Sequence, residues 1–224
     1  MATLVGQSSA VPSKIESHME ISPLHFTPRL TQAVEYARVL HIERRKGTGI
    51  PYLAHLFGVA SLVMGEAALT GTPVTEDMVI AALLHDAVED HGGAARLEHI
   101  RQNFGENVAR MVEGLSDTLV EDANDKEPWE QRKTNYAERL RHEPADIRLI
   151  SAAEKLYNAR SILEDYRVIG PEIWKRFRRS RDLQIWYFDV LLEVFHATGN
   201  MRIVDEFERV VKELKQISAG DAKG

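Results

Sequence analysis

At 224 residues the chain is long enough to bury one substantial hydrophobic core, and its 44% hydrophobic and 28% charged residues are typical of a globular protein. The sequence has no cysteine, which excludes disulfides and thiolate metal sites and leaves His, Asp and Glu to bind any metal. A formal net charge of −6 argues against binding to DNA or RNA. No apolar run approaches the length of a bilayer span, and the first residues lack the pattern of a signal peptide.

Most of the chain has the i, i+3, i+4 apolar spacing of helices, so the sequence predicts an all-α fold. Residues 1–24 lack this period and are expected to form a flexible tail, followed by a single domain over residues 25–224. The first part of this domain is predicted to contain helices over residues 27–43, 51–67, 75–90, 94–103 and 105–115.

An acidic loop over residues 117–128 is expected to lie near the functional site. The helices predicted after this loop cover residues 129–142, 145–165, 181–197 and 200–216. The last of them has an apolar stripe, for which packing into the core is a better interpretation than an interface: Ile203, Phe207, Val210, Val211 and Leu214.

The most informative segment covers residues 81–90, an apolar run that ends in acidic residues and one histidine. A continuous helix would place the apolar side chains on one side and four polar ones on the other: His85, Asp86, Glu89 and Asp90. Adjacent His and Asp can ligate a divalent cation when further ligands come from elsewhere in the chain. The alternative is a surface helix whose acidic face is only solvated.

Further candidate ligands lie on other predicted helices. Glu154 lies in a run, residues 149–160, that is largely apolar on both sides, and an isolated buried carboxylate is costly unless it is paired or metal-bound. Asn158 follows one helical turn later. His55, which alone would be more typical of a packed histidine, completes a set of four ligands that the helices can bring together: His55, His85, Asp86 and Glu154.

Several separated motifs occur in a fixed order along the chain: His41 with Arg45-Lys46, Pro51-Tyr52-x-x-His55, Ala81-Ala-Leu-Leu-His-Asp-x-x-Glu-Asp90, Phe104-Gly105, and Lys155-Leu-Tyr-Asn158-x-Arg160. In this order and spacing, residues from about 29 to 190 resemble the HD-domain phosphohydrolases. Within that family they resemble most the hydrolase domain of RelA/SpoT-type enzymes and the small alarmone hydrolases. Trp186-Tyr187-Phe188 is a looser match to the same enzymes.

The resemblance implies a metal, usually Mn²⁺ but also Mg²⁺ or Fe²⁺, held by His55, His85, Asp86 and Glu154. It implies removal of pyrophosphate from the 3′ position of a (p)ppGpp- or (p)ppApp-type nucleotide, with a metal-activated water handled by Glu89 and Asp90. Its nucleotide-contacting positions correspond to Arg45, Lys46, Tyr52, Asn158 and Tyr187.

Two further positions are interpreted on weaker grounds. His41 matches a family histidine outside the metal's usual ligands, so support of those ligands is its expected role. Arg132 and Lys133 are basic residues that could reach distal phosphates from across a cleft.

The chain departs from the family where Glu154 replaces an aspartate, which moves the carboxylate one methylene further from the backbone. We expect an active enzyme. The open alternatives are an HD phosphohydrolase of simple nucleotides that releases orthophosphate, and a catalytically weakened nucleotide-binding regulatory module. The expected partner is a small-molecule nucleotide in the cytoplasm, with no DNA, RNA or membrane, and homo-oligomer formation is left open.

Overall fold

The structure, a computed structural model, describes residues 24–66, 73–120, 122, 126–199 and 202–221, so the predicted tail lies outside it except for its last residue. The first helices are α1 (Pro28–Leu40), α2 (Tyr52–Glu66), α3 (Glu76–Leu84), α4 (Ala87–Asp90), α5 (Gly93–Phe104) and α6 (Glu106–Leu115). They are followed by α7 (Trp129–Leu140), α8 (Ala145–Ile169), a 3-10 helix (Gly170–Arg176), α9 (Arg181–Thr198) and α10 (Arg202–Ile217). Over the described residues the fold is all-α, as predicted.

Local sequence signals explain where the helices begin. The Thr27 side chain accepts a hydrogen bond from the Arg29 amide, and Pro28 occupies the first helical position of α1. Thr75 caps α3 by accepting from the Met78 amide at 3.3 Å. The predicted helix boundaries agree with the structure to within a few residues, with two exceptions: the 3-10 helix, which was not predicted, and the helix predicted over residues 75–90.

The prediction of one continuous helix over residues 75–90 is wrong. The helix stops at Leu84, His85 and Asp86 form a turn, and α4 resumes at Ala87. His85 Nδ1 lies 2.7 Å from the Ala82 carbonyl oxygen, which a continuous helix would give to the amide of Asp86. The interruption turns the side chains of His85 and Asp86 toward the same point.

Helix α3 lies in the centre of the core, where it packs against α1, α2, α6 and α8. All seven of its residues from Met78 to Leu84 are buried. A helix that is apolar on every side belongs in a core, so the alternative of a solvated surface helix is wrong. The His85-Asp86 pair consequently follows directly on a helix that is packed in the core.

Close approach of α2 and α8 brings two other parts of the site together. A Cβ at Gly58 would lie 1.9 Å from the Tyr157 ring, so only glycine leaves room for that ring. The Tyr157 ring in turn packs edge-on against His55, with ring centroids 5.1 Å apart. This contact fixes His55 of α2 beside the face of α8 that carries Glu154.

Helix α10 completes the core by packing on α8 and α9. The five apolar residues assigned to its inner face are all buried, which confirms the core interpretation: Ile203, Phe207, Val210, Val211 and Leu214. Among the described residues, no helix is long and apolar enough to cross a membrane.

Candidate metal centre

Three side chains, one from α2 and two from the turn after α3, converge on one point. The Nε2 atoms of His55 and His85 lie 3.1 Å apart. The Oδ2 atom of Asp86 lies 3.3 Å from His55 Nε2 and 3.1 Å from His85 Nε2. Donor atoms held about 2.1 Å from one cation, at right angles to each other, are about 3 Å apart, so this triangle fits a divalent metal ion.

The hydrogen bonding of His85 prepares it for that role. Its Nδ1–H donates to the Ala82 carbonyl, which leaves Nε2 facing His55 and Asp86, where it can bind a metal once it has lost its proton. Both histidines are buried, at 2% and 5% exposure for His55 and His85. At these distances the three donor atoms can share one positive charge, either a proton on His85 or a metal cation that replaces it.

Burial and neighbouring charges shift the pKa values of all three side chains. Burial alone would lower the pKa of His85, but the Asp86 carboxylate, aided by Glu154, outweighs it and raises the pKa to about 9. Burial opposes ionisation of Asp86 too, yet the two histidines hold its pKa well below the ordinary value. For His55 burial dominates and lowers the pKa. The cluster therefore attracts positive charge at neutral pH.

Glu154 lies beside this triangle but does not belong to the set of ligand atoms that lie within 4.8 Å of one another, which is His55, His85 and Asp86. Its carboxylate is ion-paired with Lys155 and accepts a hydrogen bond from the Asn158 amide. The role of Glu154 as a fourth ligand stays a prediction.

The two carboxylates predicted to be catalytic lie on α4 and line the same cleft. Desolvation by the surrounding cleft, and then the charges of Asp86 and Glu89, raise the pKa of Asp90 to about 7, although the residue itself is exposed at the surface. Burial also raises the pKa of Glu89, and the Lys133 ammonium opposes that shift. Carboxylates with raised pKa values beside a metal centre are suited to accept a proton near neutral pH.

Tyr52 was predicted to contact the nucleotide. In the structure it contacts one of the three converging side chains, Asp86. It lines the cleft, but its hydroxyl donates a 2.6 Å hydrogen bond to Asp86 Oδ2, one of the three converging atoms. The Tyr52 ring stacks on His41 with centroids 5.1 Å apart, which agrees with the expected supporting role of His41.

We expect Tyr52→Phe to weaken metal activation by about 10–100-fold, the usual effect of losing a hydrogen bond to a metal ligand. The measurement is the Mn²⁺ concentration that gives half-maximal activity. Tyr36→Phe is the matched control, because that hydroxyl accepts from Arg96 at 2.8 Å outside the cleft. An unchanged Mn²⁺ requirement in Tyr52→Phe would show that Asp86 needs no such orientation.

The cleft around the metal centre has a volume of about 610 Å³. The five residues predicted to bind the nucleotide all line it: Arg45, Lys46, Tyr52, Asn158 and Tyr187. Arg45 donates to the Asn158 side-chain oxygen at 2.9 Å, so these two lie side by side. The buried Tyr187 hydroxyl has no hydrogen-bond partner within the described structure and faces the cleft. The structure therefore brings these residues around one cavity, and their contact with a nucleotide stays a prediction.

Some cleft residues were missed or underrated. Lys155 is buried beside Glu154, whose charge outweighs burial and raises the lysine pKa well above its ordinary value. Lys133 pairs with Asp117 at 2.7 Å, and Arg132 pairs with the same carboxylate, which is only 2% exposed. Lys155 could have been found from the sequence, because a lysine is unusual within the largely apolar run around Glu154. Asp117 could not, because the acidic loop contains several similar carboxylates.

Comparison with known proteins identifies the family of this chain. The model of the HD domain family matches residues 33–182, and the chain belongs to this family. The human guanosine-3′,5′-bis(diphosphate) 3′-pyrophosphohydrolase MESH1 is 34% identical over 152 residues, which cover 67% of this chain and 76% of the relative.

Two other proteins extend the comparison. The bifunctional (p)ppGpp synthase/hydrolase SpoT of Escherichia coli is 29% identical over 209 residues, covering 87% of this chain but only 27% of the relative. A solved metazoan orthologue of SpoT, described as hydrolysing ppGpp, superimposes with a TM-score of 0.67 at 24% identity. That structure covers 86% of this chain and 98% of its own, and it supports the fold.

Proposed function

We propose that this chain is a metal-dependent hydrolase that releases pyrophosphate from the 3′ position of a guanosine 3′,5′-bis(diphosphate)-type nucleotide. Water and the nucleotide would give the nucleoside 5′-diphosphate and pyrophosphate. The observation that carries the proposal is the convergence of His55, His85 and Asp86 in a cleft that is also lined by further carboxylates and by cationic side chains. The names and extents of the relatives support the same reaction.

In this mechanism His55, His85 and Asp86 hold the cation, and Glu154 is the candidate fourth ligand. A bound divalent cation would lower the pKa of water and offset phosphate charge. One of the neighbouring pair Glu89 and Asp90 accepts the proton of the attacking water and returns it to the 3′ oxygen as the bond to pyrophosphate breaks, since desolvation and neighbouring carboxylates raise the pKa values of both. Their proximity to Asp86 places the proton acceptor beside the metal centre.

The remaining cleft residues position the nucleotide. Arg45 and Asn158 form one polar group on the cleft wall, with Lys46 beside them. Lys133 and Lys155 form a second cationic group, each within 6 Å of the Tyr187 ring centroid. Two cationic groups, which meet at Glu154 through Asn158 and Lys155, suit a substrate that carries phosphates at both its 3′ and 5′ positions.

The test is an assay of metal-depleted protein with added Mn²⁺ and a panel of nucleotides. We expect turnover of guanosine or adenosine 3′-pyrophosphate derivatives with pyrophosphate as product. Orthophosphate from simple nucleotides would instead favour the second enzymatic alternative. Tight nucleotide binding with no turnover at saturating Mn²⁺ would favour the regulatory module.

Shortening the unusual glutamate tests whether the site is built around it. We expect Glu154→Asp to lower kcat or the Mn²⁺ affinity by about 10–100-fold, because withdrawal of the carboxylate breaks its contacts with Lys155 and Asn158. Glu164→Asp, a change of the same kind further along α8 and outside the cleft, is the control. A large gain in hydrolysis in Glu154→Asp would contradict this account and indicate that glutamate weakens the site.

The particular metal, with Mn²⁺ as the first candidate, belongs to this proposal. The purine preference is decided by the guanosine and adenosine arms of the assay. Cytoplasmic localisation and the lack of DNA, RNA and membrane partners stay predictions from the sequence.

A further inference from the structure

A second cluster of metal-ligating side chains lies on the rim of the same cleft. His41 follows the end of α1, Glu43 lies in the loop before α2, and His91 follows α4. Glu43 Oε1 lies 2.8 Å from His41 Nδ1 and 3.5 Å from His91 Nε2. These three residues share no member with the set His55, His85 and Asp86.

The cluster is ordered by its surroundings. The His41 side chain is fully buried, stacked on Tyr52 and packed edge-on against the His91 ring at a centroid distance of 4.6 Å. His91 Nε2 is buried and has no hydrogen-bond partner within the described structure, although it faces Glu43 Oε1. A buried ring nitrogen without a partner is unfavourable, and a cation among the three side chains would satisfy it.

We propose that His41, Glu43 and His91 bind a second divalent cation of the first transition series, such as Zn²⁺ or Mn²⁺. Two imidazole nitrogens and one carboxylate oxygen suit these ions, whereas Ca²⁺ and Mg²⁺ prefer oxygen ligands alone. Tyr52 lies between the two sites, because its ring stacks on His41 while its hydroxyl binds Asp86.

If the proposed hydrolase function holds, the position of this second cation suits it to help bind the substrate. Glu43 and His91 line the cleft together with Asp86, Glu89 and Asp90, so this part of the cleft carries several negative charges. A polyphosphate that approaches the metal centre is repelled by them. A cation on the rim would offset the charge of Glu43 and attract the phosphate chain.

The experiment is equilibrium dialysis of metal-depleted full-length protein against Zn²⁺ and, separately, Mn²⁺, followed by measurement of bound metal per chain. We expect two equivalents for the unaltered protein and one for His91→Gln and Glu43→Gln. His55→Ala should also lose one equivalent, and the double variant His55→Ala/His91→Gln should lose both. His142→Gln is the matched control and should keep both equivalents. That exposed histidine lies 3.8 Å from Glu138 but belongs to no group of three possible metal ligands within the described part of the chain.

One bound equivalent in the unaltered protein, unaffected by His91→Gln and lost in His55→Ala, would overturn the second site and leave the hydrolase proposal standing. Circular dichroism of each variant separates metal loss from unfolding. Co²⁺ in place of Zn²⁺ gives a second readout, because the visible absorption of Co²⁺ bound by His55→Ala should disappear when His91 is also replaced.

Discussion

Replacing His85 by alanine is expected to lower the rate of pyrophosphate release by at least about 10³-fold, since a catalytic metal supplies several kcal/mol of transition-state stabilisation. His85 Nε2 lies 3.1 Å from both His55 Nε2 and Asp86 Oδ2, so its removal opens the triangle of ligand atoms. The measurement is kcat at saturating substrate over a range of Mn²⁺ concentrations. High Mn²⁺ should restore little of the lost rate.

His142→Ala is the control for this prediction, because its side chain is 80% exposed and it lies outside the cleft. That variant should retain the rate of the unaltered protein. If His85→Ala kept more than about a tenth of the original kcat while remaining folded, His85 would not be a ligand of a catalytic metal, since one tenfold step corresponds to only 1.36 kcal/mol.

The second large effect is expected at the carboxylates of α4. Glu89→Gln and Asp90→Asn should each lower kcat by about 10²–10⁴-fold, the usual contribution of a positioned general base. The amides keep the shape of the acids but cannot accept the proton of the attacking water. Metal binding should remain, because neither residue belongs to the cluster His55, His85 and Asp86. Measurement of kcat together with the bound-metal stoichiometry separates the two roles.

Glu98→Gln is the matched control for these amides, as Glu98 lies on α5 outside the cleft and is paired with Arg101 at 2.7 Å. A fall in bound metal in Glu89→Gln or Asp90→Asn that parallels the fall in kcat would contradict the assignment. That result would indicate that the residue is a metal ligand and not the base that accepts the proton of the attacking water.

Much of the fold could be predicted because helices leave periodic signals in the sequence. Thr75 caps the start of α3, and Gly92 has a positive φ between α4 and α5. Both lie at helix boundaries that the sequence predicted. The break at His85-Asp86 could not be predicted, because it depends on a hydrogen bond from the His85 side chain to the Ala82 carbonyl. Hydrophobic periodicity indicates which face of a helix is buried. It does not indicate that a side chain such as His85 competes with a backbone amide for the Ala82 carbonyl.

For the candidate site, the sequence predicted which residues take part but not how they contact one another. The motifs identified His55, His85 and Asp86, because residue type and order carry that information. They could not give the contacts of Glu154, which depend on the rotamers of Lys155 and Asn158 in the folded cleft. The hydrogen bond from Tyr52 to Asp86 joins residues 34 positions apart and likewise arises only from packing.

The central claim is that His55, His85 and Asp86 form a metal centre. Anomalous diffraction from crystals grown with Mn²⁺ tests it most directly, with data collected near the manganese absorption edge. The account predicts an anomalous peak about 2.0–2.3 Å from His55 Nε2, His85 Nε2 and the Asp86 carboxylate, distances typical of divalent metal ions. The same map would show whether Glu154 has left Lys155 to join the cation. A well-ordered cleft with no peak among these three residues would contradict the account.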